Sequence, residues 1–203
     1  MFSKSTVKYI QSLQHKKFRD EEGCFVAEGP KLVRELLEGG IFQCRNVYAL
    51  PEWAGPGDIK LLQMRGIEPQ MIRDFELEKI SSLTKPNGVL AVFEKKETVL
   101  SPDISNKLTL LLDDIQDPGN LGTIIRIADW FGIENIICSE NCVDCYNPKV
   151  VQATMGSLVR VNIWYTSLFS FIDAHKNISV YAAALSGTPL PEFNKITEGI
   201  VLI

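Results

Sequence analysis

Asp113-Asp114-Ile115-Gln116-Asp117-Pro118-Gly119-Asn120-Leu121-Gly122-Thr123-Ile124-Ile125-Arg126 follows directly on the apolar run Leu108-Thr109-Leu110-Leu111-Leu112. An aliphatic run, a polar turn containing proline and glycine, and then apolar residues at helical spacing read as a strand leading into an amphipathic helix. Leu121, Ile124, Ile125, Ala128 and Phe131 form the expected buried stripe, and Asn120 stands where a helix cap is expected. Gly122, Thr123, Arg126 and Trp130 share an adjoining face, being spaced three and four residues apart. An arginine is therefore expected on the early turns of a helix just beyond the carboxyl end of a strand, where open α/β sheets bind ligands.

Downstream, strand-like runs at residues 135–138, 161–165, 178–183 and 200–203 alternate with helical patterns. This is the order of a parallel sheet covered by helices. Upstream, Leu32, Val33, Leu36 and Leu37 make one stripe of a helix over residues 30–38, with Pro30 in its first turn and Gly39-Gly40 at its end. A strand is expected near residues 47–50. Asp74 can cap a helix running to about residue 83, and Lys85-Pro86-Asn87-Gly88 turns the chain into a strand at residues 89–93. Between Glu94 and Lys107 the sequence is polar and contains Pro102, the composition of a connector. The fold class expected is α/β in two parts: a small α/β domain over residues 1–94, then an α/β domain with a mostly parallel sheet over residues 107–203.

Composition limits the function classes. With 45% hydrophobic and 23% charged residues, the chain has the makeup of an ordinary globular protein with a sizeable core. Its apolar runs are far shorter than the roughly 20 residues that span a bilayer, and Met1-Phe2-Ser3-Lys4 opens no signal segment, so no membrane partner and a cytoplasmic location are expected. A net charge of −4 excludes a protein that coats nucleic acid by bulk charge. Residues 1–19 nevertheless carry Lys4, Lys8, Lys16, Lys17 and Arg19 with no acid, a block able to neutralise phosphates locally. The five cysteines suit reduced thiols. Cys138, Cys142 and Cys145 have a spacing that could hold an iron–sulfur cluster, but Cys138 ends an apolar strand, where cysteine is usually a small buried hydrophobe.

By itself the Asp113–Arg126 stretch also fits an ordinary strand-to-helix turn, with Arg126 paired to Asp129. A dinucleotide-binding turn does not fit, because Gly119 and Gly122 have no third glycine in phase. The residues Asn120, Gly122, Arg126, Ala128, Phe131 and Gly132, however, resemble the first motif of the SpoU/TrmH family of RNA 2′-O-ribose methyltransferases, part of the knotted SPOUT group. Lys16-Lys17-Phe18-Arg19 followed by Phe25-Val26-Ala27-Glu28-Gly29 resembles the start of that family's substrate-binding domain, and Gly88-Val89-Leu90-Ala91-Val92 its end. Asn147-Pro148-Lys149 through Met155-Gly156-Ser157 is similar to the segment after the family's second strand.

The resemblance implies transfer of a methyl group from S-adenosylmethionine to a ribose 2′-hydroxyl of rRNA or tRNA by a homodimer joined through its catalytic domain. It assigns Arg126 and Asn120 to catalysis. A guanidinium is a poor base, so Arg126 is read as the cation that stabilises the developing alkoxide and grips the adjacent phosphate, with Asn120 orienting that arginine or the ribose. No metal is required. Lys16, Lys17 and Arg19 are the expected phosphate contacts. Glu28 and Gly29 are given fold roles, Glu28 as partner of the basic segment and Gly29 for backbone freedom.

The departure is at the other end, since the family's Gly-x-Glu-Gly-x-Gly turn and Ser-Leu-Asn-Val helix, which hold most of the cofactor, have no counterpart here. Leu185, Ser186 and Gly187 are the cofactor-loop candidates that remain. The chain is expected to be truncated after Ile203 and inactive as residues 1–203 alone. The alternative is a non-catalytic RNA-binding module.

Overall fold

A computed structural model describes residues 2–96, 104, 106–184, 189 and 196–203. The chain opens with α1 (Lys4–Ser12) and α2 (Lys16–Glu22), and then builds a first sheet from β1 (Cys24–Glu28), β2 (Cys44–Ala49), β3 (Gln70–Met71) and β4 (Val89–Glu94). Helices α3 (Pro30–Gly39), α4 (Pro56–Met64) and α5 (Asp74–Ile80) are interspersed. The spatial order is β1-β4-β2-β3, antiparallel except for the β2–β3 pair. Side chains of a strand alternate between faces, and both faces of this sheet are covered. Phe25, Ala27, Val89, Ala91 and Phe93 pack with Leu32, Val33, Leu36 and Leu37 of α3. Val26, Leu90 and Val92 pack on the other face with Ile10 and Leu13 from the first helix and its end and with Leu77 and Ile80 of α5. Two covered faces explain why β1 and β4 read as continuous apolar runs rather than as alternation.

The second sheet is built from β5 (Leu108–Leu112), β6 (Asn135–Cys138), β7 (Asn162–Tyr165), β8 (Val180–Ala182) and β9 (Gly199–Leu202), all parallel and in the order β7-β6-β5-β9-β8. Helices α6 (Pro118–Trp130) and α7 (Pro148–Thr154) cover one face, and α8 (Leu168–Ala174) lies over the other. The chain moves outward from β5 through β6 to β7 and then resumes on the opposite side of β5. The direction of winding thus reverses at β5 and β9, which puts the ligand-accepting crevice of such a sheet at their carboxyl ends.

Residues 94–107 were expected to separate two cores. The α3 face of the first sheet and the α6–α7 face of the second instead share one continuous apolar cluster, running from Phe25 and Leu36 to Leu121 and Val150. No helix among the described residues is long and apolar enough to cross a membrane.

Several local expectations change. The cap of α6 is Asp117 rather than Asn120, because Pro118 fits the first turn and the Asp117 carboxylate accepts the Asn120 N–H at 2.8 Å. Phe131, expected in the buried stripe, is 73% exposed, lying past the helix end where Gly132 turns the chain at φ +71°. Helix α5 ends at Ile80, and Arg73 rather than Asp74 occupies its cap. Replacing Asp117 by alanine removes one side-chain cap, and urea unfolding should show a loss of about 1 kcal/mol.

Candidate functional site

The segment after β5 is held at almost every residue. The Asp113 amide donates to the Ile203 carbonyl at 3.0 Å, Asp114 N–H to Ser139 Oγ at 2.9 Å, and Ile115 N–H to Cys142 Sγ at 3.3 Å. Val143 N–H returns to the Ile115 carbonyl at 2.9 Å. Asp114 adopts φ +55°, a left-handed conformation that costs a non-glycine residue energy and persists only where its surroundings fix it. The loop is thereby tied to β9 on one side and to the β6 exit on the other, with the carboxylates of Asp113, Asp114 and Asp117 exposed. These three acids carry no motif of their own, and only the position of the loop at the sheet's winding reversal brings them to notice.

Helix α6 leaves this loop and packs against α7 through Gly122, where a Cβ would lie 2.4 Å from Ala153 Cβ and 3.0 Å from the Val150 carbonyl oxygen. Gly122 therefore serves helix contact rather than the ligand face. Its signal in the sequence is a glycine inside a helical pattern, a position that costs about 1 kcal/mol relative to alanine unless packing demands it.

Arg126 is exposed, in the third turn of α6. The expected alternative of an Arg126–Asp129 pair does not form. Asp129 is taken by Arg160, whose Nε lies 2.8 and 3.0 Å from its two carboxylate oxygens, while Arg160 Nη1 reaches Glu35 of α3 at 3.2 Å. Burial alone would raise the Asp129 carboxyl, but the hydrogen bonds from Arg160 and Ser157 outweigh it and hold the group below the usual carboxylate range. The sequence has seven arginines. Arg19, Arg34, Arg45, Arg65, Arg73 and Arg160 each bond a carboxylate or a carbonyl. Arg126 alone of the seven has no such partner among the described residues, although Ile127, Trp130 and Phe131 stand exposed beside it.

Asn120 is exposed in the first turn of the same helix. Six helical residues separate it from Arg126, which amounts to about 9 Å along the axis and roughly 120° around it. Within one chain, then, Asn120 does not orient Arg126. Leu185, Ser186 and Gly187 lie outside the described residues.

Lys16 and Lys17 are exposed at the start of α2, with Lys17 Nζ 3.9 Å from Glu21. Arg19 is a correction: it is 1% exposed and its guanidinium is bonded to Asp144 and to the carbonyls of Leu13 and Gln14, so it cannot reach a phosphate. Asp144 lies 125 residues away, and no local pattern pairs the two. Glu28 does not pair with the basic segment either. Its carboxylate accepts from Ser81 Oγ and from the amide and hydroxyl of Ser82, the latter two at 2.9 and 2.6 Å, and so anchors the end of α5. Gly29 does need its freedom, at φ +95°.

Cys142 Sγ accepts the Ile115 amide and donates to the Leu112 carbonyl, each at 3.3 Å. The neighbouring Cys138 thiol, with help from Ser139 and the Ile115 amide, pulls Cys142 down to about 6, while the interaction with Cys142 and burial push Cys138 up. No group of three or more metal-capable side chains converges among the described residues, so an iron–sulfur site has no geometric basis there.

Comparison with known proteins follows the same division of the chain. Residues 107–203 match the model of the SpoU rRNA Methylase family, and residues 4–91 match that of the MRM3-like substrate binding domain. The chain is 30% identical over 201 residues to the 23S rRNA (guanosine(2553)-2′-O)-methyltransferase RlmP of Bacillus subtilis, covering 97% of the chain and 77% of that protein. It is 31% identical over 170 residues to the mitochondrial rRNA methyltransferase 3 of Xenopus laevis, covering 77% of the chain but only 38% of that longer protein. The crystal structure of an AdoMet-bound rRNA methyltransferase from Sinorhizobium meliloti superposes with a TM-score of 0.84 at 29% identity, over 100% of the chain and 78% of that structure.

Proposed function

The chain belongs to the SpoU rRNA methylase family, and on that premise we propose that it transfers a methyl group from S-adenosylmethionine to a ribose 2′-hydroxyl of ribosomal RNA. The observation that carries the reading is the free guanidinium of Arg126, on a helix that leaves the winding reversal of a parallel sheet. As the hydroxyl oxygen bonds the methyl carbon, releasing its proton to bulk solvent and the cofactor as its neutral thioether, negative charge gathers on that oxygen in transit. A planar cation bearing five N–H donors, fixed on a helix and without a hydrogen-bond partner among the described residues, stabilises that charge and holds the neighbouring phosphate.

The described strand ends fit the apolar part of the cofactor: Ala183, Ala184 and Ile203 are exposed at the carboxyl ends of β8 and β9. Leu185, Ser186 and Gly187, which follow in sequence and lie outside the described residues, are the remaining candidates for cofactor contact. When bound, the cofactor supplies an electrophilic methyl group. The chain's own part is to align the ribose oxygen with it and to exclude water, which is where most of the rate of such a displacement arises. The AdoMet-bound relative supports this assignment.

In this reading residues 1–94 dock RNA and residues 107–203 perform the transfer. The protein acts as a cytoplasmic homodimer. Ile127, Trp130 and Phe131, exposed by 49%, 85% and 73% on and just past α6, support a second copy of the chain at that face. Lys16 and Lys17 contact phosphate. Replacing both by alanine should weaken RNA binding and flatten the plot of log affinity against log salt by roughly two units, about one per lost contact, without changing cofactor affinity. Incubating the full-length protein with ribosomal RNA and methyl-labelled S-adenosylmethionine tests the activity, with label expected in the RNA. RNA binding without cofactor binding or label would instead indicate a non-catalytic RNA-binding module.

A further inference from the structure

Arg19 is the largest fully buried side chain among the described residues. Its Nη1 donates to the carbonyls of Leu13 and Gln14 at 3.0 and 2.8 Å, which closes the corner between α1 and α2. Its Nε and Nη2 donate to Asp144 Oδ2 at 3.0 and 2.7 Å. Lys16 and Lys17 ride on that corner. Asp144 sits in the short bridge from β6 to α7, and the bridge is fastened in two directions. Toward the site, its neighbours Val143 and Cys142 hold both the carbonyl and the amide of Ile115 in the loop after β5. Toward α7, Asp144 Oδ1 accepts the Tyr146 amide at 3.0 Å and the Asp144 carbonyl accepts that of Asn147 at 2.9 Å. Asn147 then caps α7, the helix packed against the α6 that carries Arg126.

We propose that Arg19 is a positioning residue for methyl transfer: through Asp144 it fixes the distance between the RNA-holding corner at Lys16 and Lys17 and the helix that presents Arg126. The inference rests on the reading that this corner docks RNA. Apolar contact between the two halves is strong but non-directional. A buried ion pair is the opposite case. Its desolvation roughly cancels its attraction, so it adds little net stability, and what it supplies is one defined geometry. Two charge-assisted hydrogen bonds converging on Asp144 Oδ2, with Oδ1 held by the Tyr146 amide, supply that geometry well. An RNA gripped at one end and methylated at the other depends on it, since a misplacement of about 1 Å at the reacting atoms costs on the order of a hundredfold in rate.

The test compares Arg19→Met, Asp144→Asn and the double variant Lys16→Ala/Lys17→Ala in the full-length protein, at saturating S-adenosylmethionine over a range of RNA concentrations. It also records the salt dependence of RNA affinity and the circular dichroism. Arg19→Met and Asp144→Asn should lower kcat by about a hundredfold, with RNA affinity, its salt slope and the dichroism unchanged. Asp144→Asn keeps the shape and one acceptor, so it decides the matter if Arg19→Met does not fold. The proposal is overturned if kcat of the folded variants stays within roughly threefold of wild type, if RNA affinity falls in step with kcat, or if both variants unfold, since the pair is then structural only. The lysine variant is read separately: its KM should rise and its salt slope flatten. An unchanged slope there removes RNA docking at this corner, whatever the Arg19 variants do.

Discussion

Arg126→Ala is expected to lower the rate of methyl transfer by about a thousandfold, equivalent to ~4 kcal/mol at the transition state, and to leave the fold intact. The size follows from what the arginine is asked to do. A fixed cation facing a developing oxyanion is worth far more in a water-excluded site than the same cation in bulk water, and in the described chain nothing else competes for it. The intact fold follows from its surroundings. Arg126 is exposed and has no hydrogen bond or ion pair among the described residues, so its removal should change the free energy of urea unfolding by less than about 0.5 kcal/mol. Arg126→Lys should not restore the rate, because a point charge cannot grip oxygen and phosphate together as a planar fork does. Single-turnover transfer of labelled methyl is the assay. An alanine variant working near the wild-type rate removes Arg126 from the chemistry.

A large loss of stability is expected at Gly122→Val. A Cβ at this position meets Ala153 Cβ at 2.4 Å and the Val150 carbonyl at 3.0 Å, and the second of these is backbone that cannot turn aside. Either α6 and α7 separate or the side chain is forced off its rotamers, and over-packing of this kind costs about 3 kcal/mol. The gain in helix propensity over glycine, below about 1 kcal/mol, does not offset it. Urea denaturation monitored by circular dichroism should show the midpoint falling at constant slope. Unchanged stability with lost activity would mean that Gly122 faces the ligand after all.

Much of the fold was legible in the sequence because its strands are apolar on both faces and its helices carry strong breakers. Leu108–Leu112 and Asn135–Cys138 lie where the apolar runs put them, and Gly39-Gly40 ends α3 as expected. The capping of α6 was misread because two capping residues, Asp117 and Asn120, flank Pro118, and the choice depends on which one reaches a free amide. The two halves were read as separate because a polar connector joins them, whereas the apolar faces that meet in one cluster are far apart in the chain.

The periodicity put Arg126 on an unburied face of α6, where it lies. Its freedom was not legible, since Asp129 three residues away is the obvious partner and only the fold brings Arg160 to that carboxylate. Arg19 shows the limit most sharply. In the sequence it belongs to a basic run with Lys16 and Lys17, and charge counting cannot tell a solvated cation from one buried against an acid 125 residues away.

Ribose methylation is tested most directly by locating the label. The full-length protein is incubated with methyl-labelled S-adenosylmethionine and ribosomal RNA, and the RNA is then hydrolysed in alkali, which cleaves only next to a free 2′-hydroxyl. Label recovered in an alkali-resistant dinucleotide is the expected result, and it should disappear with Arg126→Ala. Label on the base of an ordinary mononucleotide, or none in RNA that the protein binds, contradicts ribose 2′-O-methylation.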